Sequence, residues 1–144
     1  LWKVNIIMGG RGYHNNVKGY LDALGKIKEF ETIYQTEDEK IDFVKDVVAI
    51  KNPTTPIFSN SPNKIYVLIG KDDKIKNISI YDENHLMIKS IHLDHSDNKM
   101  KEHVHDGDLY HHMPKHGRQL TKEEVQIKKK VLQIYESIKE IKLC

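Results

Sequence analysis

One stretch, Lys64–His95, KIYVLIGKDDKIKNISIYDENHLMIKSIHLDH, limits the fold more tightly than any other. Ile65, Val67 and Ile69 alternate with Tyr66 and Leu68, then Ile78 and Ile80 alternate, and Leu86, Ile88, Ile91 and Leu93 keep a third run apolar. Period-two alternation rich in β-branched residues is the signature of strands half buried against a core. The separators, GKDD and DENH, are turn sequences, and connections that short force antiparallel neighbours. The spacing therefore predicts an antiparallel meander of three or four strands over residues 63–95. Such a sheet must bury one face, so something must cover it.

The C-terminal segment supplies the cover. Thr121 and Glu124 form a capping box, and Ile127, Val131, Ile134, Ile138 and Ile141 then recur at four- and three-residue steps. This predicts a long amphipathic helix over 120–143, lysines outward, packed on the sheet. Upstream, Val17, Tyr20, Leu21 and Leu24 fall at helical spacing, with Asn15 or Asn16 to cap and Gly25 to end the helix. Thr36 and Glu39 read as another capping box, with Ile41, Val44, Val47 and Val48 as its stripe, ending before Asn52-Pro53. Residues 15–52 are thus expected to be helical. KNPTTPIFSNSPN, with three of the four prolines, reads as an extended boundary loop. The fold class that follows is α+β: N-terminal helices, a meander, a closing helix.

A length of 144 residues, with 38% hydrophobic and 31% charged, suits one domain with a modest core. The formal charge of +2 does not announce nucleic acid. A lone cysteine, Cys144, excludes an internal disulfide and thiolate-rich zinc sites. No run approaches the ~18 apolar residues of a membrane span. LWKVNII is too short, and lacks the small-residue cleavage site, for a signal peptide. Residues 1–14 are expected to be a flexible segment, because GGRG lacks the Lys-Ser/Thr that a phosphate-binding loop needs.

Chemistry concentrates in LDHSDNKMKEHVHDGDLYHHMPKHGR, Leu93–Arg118, within an expected loop over 96–119. His103 and His105 fall on one side of an extended segment, and Asp94-His95 ends the third predicted strand. One reading makes His95, His103 and His105 an acid–base set for phosphodiester cleavage, with Lys99 or Arg118 (or the nearby Lys101 or Lys115) holding phosphate, and no cofactor. The alternative makes His95, His103, His105 and Asp94 ligands of a divalent metal such as zinc or manganese, with Asp97, Asp106 or Asp108 completing the shell. A His-metal finger nuclease fits less well, since SDNKMKE follows Asp94-His95 and the final helix carries no histidine. His111, His112 and His116 read as surface residues, and His85 and His14 as structural.

The segment Lys71–His105 resembles small proteins and toxin-like tails encoded by phages and prophages. The resemblance rests on Tyr81, Asp82, His95, Asn98, Lys99, His103 and His105, and on MGGRG at Met8–Gly12. It implies a fold akin to the barnase-, EndoU-, colicin- and RelE-like nucleases. The tryptophan that usually follows the H-x-H is replaced here by Asp106-Gly107 and Tyr110. The resemblance leads to an expected endoribonuclease acting on RNA, placed in the bacterial host cytoplasm or the virion. A non-enzymatic phage protein, a virion component or an inhibitor of host defence that binds a host or phage protein, is the alternative.

Overall fold

The computed structural model describes residues 16–21, 27–48, 54–56, 58–95, 99–107 and 117–143. Among the described residues, seven strands form one sheet in sequence order: β1 (Asn16–Leu21), β2 (Ile27–Gln35), β3 (Ile41–Asp46), β4 (Ile65–Ile69), β5 (Ile75–Tyr81), β6 (Met87–His92) and β7 (His103–Asp106). A helix, α1 (Lys122–Leu143), follows β7. Neighbouring strands are antiparallel except β3 and β4, which run parallel with Ile41 opposite Ile65 and Phe43 opposite Val67. The architecture is α+β, but the sheet is mixed and larger than the predicted meander.

The meander itself stands where its alternation placed it, as β4, β5 and β6. So does α1, whose capping box is reciprocal: Glu124 N–H donates to Thr121 Oγ1 at 3.2 Å, and Thr121 N–H donates to Glu124 Oε1 at 2.8 Å. The N-terminal helices are a correction. The described residues of 15–52 form β1, β2 and β3. Thr36 caps a tight hairpin rather than a helix: its hydroxyl donates to Asp38 and accepts from Ile41 N–H, while Glu39 takes a left-handed φ of 62°. Ile41 and Phe43 then alternate inward, and Val47 and Val48, part of the expected helical stripe, are exposed. Tertiary pairing overrode the three-residue steps of that stripe, which in a strand send Ile41 and Val44 to opposite faces. The expected loop over 96–119 also contains a strand, β7.

Alternation along the strands sorts side chains onto two faces. On one, Ile41, Phe43, Val67, Ile78, Ile91 and Val104 pack against Val131, Tyr135 and Ile138 of α1. Phe43 and Tyr135 stack with centroids 6.0 Å apart. At the start of α1, Arg118 bridges Asp106 and Glu124, and Lys89 reaches Glu124 at 2.8 Å. On the other face lie Phe30, Val44, Tyr66, Leu68, Tyr81 and Met87. The proline-rich segment folds onto this second face: Pro56 O accepts from the Tyr81 hydroxyl, and the Thr55 and Ser79 hydroxyls are 2.8 Å apart.

Candidate functional site

Toward β7 the second face turns from apolar to polar while staying buried. The register aligns Leu68 with Asn77, Asn77 with His92, and His92 with His103. One step along, Tyr66, Ser79, Ser90 and His105 form a parallel row. Asn77, Ser79, Ser90, His103 and His105 are all buried. Hydroxyls satisfy each other along the second row, with Ser79 Oγ 3.1 Å from Ser90 Oγ. Polar groups taken from water at this density are costly unless partnered or used.

Four imidazoles converge at the end of these rows. The ring of His92 lies 5.2 Å from that of His103, stacked at 29°, and 4.9 Å from that of His105. His103 and His105 are 4.9 Å apart at 90°. His95, beyond the end of β6, sets its ring 5.1 Å from His92 and 4.9 Å from His103. Its Nδ1 is 2.7 Å from Asp94 Oδ1, a carboxylate oxygen that accepts the ring Nδ1–H and orients the ring. His95 is 50% exposed and so forms the solvent side of the cluster.

Electrostatics keep His92 neutral. Burial first, then the neighbouring imidazoles of His105, His95 and His103, pull the His92 pKa down to about 3. His92 thus offers lone-pair density rather than a proton. Both its ring nitrogens are buried and have no hydrogen-bond partner among the described residues. The Asn77 side-chain carbonyl, its cross-strand neighbour, is in the same condition. His92, His103 and His105 each present one ring nitrogen within 4.8 Å of the others, the arrangement through which a metal ion could be held.

The structure brings His95, His103, His105 and Asp94 together, as the sequence spacing suggested. It adds His92, which alternation could have revealed: Ser90 and His92 share a parity opposite to Ile91 and Leu93, just as His103 and His105 oppose Val104. Arg118 belongs elsewhere. Its five N–H groups go to both Asp106 oxygens, both Glu124 oxygens and Gln119 O. That geometry leaves no donor for phosphate, and Asp106, committed to Arg118, points to the helix face. Lys99 stands exposed in the turn before β7, with φ 70°, and Lys101 is exposed beside it. His14, Asp97, Asn98, Asp108, Tyr110, His111, His112, Lys115 and His116 lie outside the described residues. His85 is structural, exchanging contacts with Ser59. Gly117 closes the cluster from behind, since a Cβ there would stand 2.7 Å from His103 Cδ2.

No family model, curated protein or solved structure matches this chain. Function must therefore be read from the residues themselves. Among the described residues, no helix is long and apolar enough to cross a membrane.

Proposed function

We propose that this chain is a small nuclease of phage or prophage type, cleaving RNA phosphodiesters at the imidazole cluster. The observation that carries the reading is the convergence of His92, His95, His103 and His105 on one sheet end. A second feature agrees with it. A cavity of about 530 Å³ lies near that end, lined by Lys71, Lys74 and Lys76 together with Asp72 and Asp94, the last being the residue that grips His95. An anionic backbone held by these lysines would enter the site from the side on which His95 is exposed. His95 is the group placed to move the proton, with Asp94 orienting it and His103 behind it. Lys74 and Lys99, both exposed, take the phosphate-holding role that Arg118 cannot fill.

Labelled RNA and DNA, incubated with the purified chain with and without chelator, test the reading. RNA cleavage that disappears in His95→Ala and persists in His85→Asn supports it. A folded wild-type chain that leaves both substrates intact refutes it and favours action by protein binding.

A further inference from the structure

We propose that His92, His103 and His105 form a three-histidine site for one divalent metal ion of the zinc type, with its remaining position open toward His95. The inference goes beyond RNA cleavage and stands whether or not the chain is a nuclease.

Geometry comes first. One nitrogen from each ring already lies within 4.8 Å of the other two. Three nitrogens bound to one tetrahedral ion at ~2.0–2.1 Å stand roughly 3.3 Å apart, so modest ring rotations complete the set. The scaffold is rigid, because His92 and His103 are directly paired across β6 and β7, and His105 follows two residues along the same face. Ligands fixed on strands hold their positions better than ligands on loops.

The second argument is the orphaned polarity. Both His92 ring nitrogens are buried without a partner among the described residues, and so is Asn77 Oδ1 on the adjacent strand. A metal on one His92 nitrogen satisfies it. The other then carries the proton, and Asn77, paired with His92 across β5 and β6, bears a carbonyl acceptor of the kind that orients metal-bound imidazoles. Two unexplained buried groups receive one explanation.

The third argument concerns the donor set. Neutral imidazoles without thiolates suit zinc and its borderline neighbours rather than calcium or magnesium, which prefer oxygen. Three protein ligands also leave a coordination place, the pattern of reactive rather than purely structural centres. His95 is tied to Asp94 at 2.7 Å and half exposed, so it borders that place without closing it.

Metal content and cobalt spectroscopy of the full chain test the proposal independently of any activity. After exposure to zinc and dialysis, one zinc per chain is expected. Cobalt substitution should give the intense visible bands of a four-coordinate ion. His92→Ala should weaken zinc binding by ~100-fold or more, above the loss seen when a supporting partner is removed. Asn77→Ala should weaken it by ~10–100-fold while keeping one site per chain. His85→Asn should bind as wild type does. Substoichiometric zinc with a featureless cobalt spectrum in the folded wild-type chain overturns the proposal. Equal binding by His92→Ala also overturns it, and the wild-type spectrum decides the matter should that variant fail to fold.

Discussion

Replacing Gly117 by alanine perturbs the cluster from a residue that offers no chemistry of its own. The new Cβ would stand 2.7 Å from His103 Cδ2 and 3.1 Å from its Cβ and Cγ, against the 3.4 Å at which ordinary contact begins. One side must yield by about 0.7 Å, the difference of 3.4 and 2.7. The backbone at residue 117 is poorly placed to do so, because its neighbour Arg118 exchanges two hydrogen bonds with Val104, at 2.8 and 2.9 Å. The His103 ring is fully buried among three other imidazoles, so it has no open space to enter. Overpacking of this kind costs about 1–3 kcal/mol. For a domain of this size that lowers Tm by roughly 2–10 °C. A displacement near 0.7 Å also exceeds the ~0.5 Å tolerance of a working site. Zinc affinity, read by competition with a chromophoric chelator, should therefore fall ~10–100-fold, and RNA cleavage should fall with it. Gly70→Ala is the control: its Cβ would meet Asp72 Oδ1 at 3.1 Å, the movable end of a side chain. A Gly117→Ala chain with wild-type Tm and zinc affinity would refute the claim that His103 is held by packing.

Two ionic groups, at Glu124 and at Asp42–Lys64, carry the other expected outcomes. Glu124 is buried and bonded to Arg118, Lys89 and the Thr121 backbone, so Glu124→Ala should lose about 2–4 kcal/mol in urea denaturation, from the cap and the stranded cations together. The Arg118 hydrogen bonds, foremost, hold the Glu124 carboxyl far below its ordinary 4.5. A depressed carboxyl stabilises the fold above its unfolded pKa, so that contribution fades as pH drops below about 4.5, and thermal scans of Glu124→Gln should show a shallower acid loss than wild type. Asp42 and Lys64 form a buried pair at 3.0 Å, with burial raising the Asp42 pKa. Asp42→Leu should cost about 3–5 kcal/mol by leaving the ammonium uncompensated, while Asp42→Leu combined with Lys64→Met should recover most of it, and equal losses in both chains would count against a paired interaction.

The comparison of sequence with structure turns on which signals are local. The capping box at Thr121–Glu124 and the seam through Val131 and Ile138 are local, and α1 formed as they required. The turns GKDD and DENH are local too, and they fixed β4 to β6. Thr36–Glu39 was ambiguous because a Thr hydroxyl that caps a helix also caps a hairpin. What decided it was the parallel pairing of β3 with β4, information carried by residues more than twenty positions away. The histidines divided likewise. His103 and His105 were visible from their own spacing, and His95 from its place beside Asp94. Alternation puts His92 on the right face of β6, but its place beside His103 needs the register between β6 and β7, which is not written in either strand alone. Arg118 misled for the same reason, since its partners Asp106 and Glu124 meet it only once β7 and the start of α1 come together.

Among the described strands, the parallel junction between β3 and β4 divides the sheet into two antiparallel halves, each of which can assemble before that junction closes. Within the second half, β4 to β6 join through tight turns, and such hairpins close in microseconds. The junction instead waits for the whole chain between Asp46 and Ile65 to loop back, a costlier closure. His92, His103, His105 and Asn77 all belong to the second half. The imidazole cluster is thus encoded wholly within one half, and an ion of the kind proposed above would staple that half without waiting for the β2–β3 hairpin to dock.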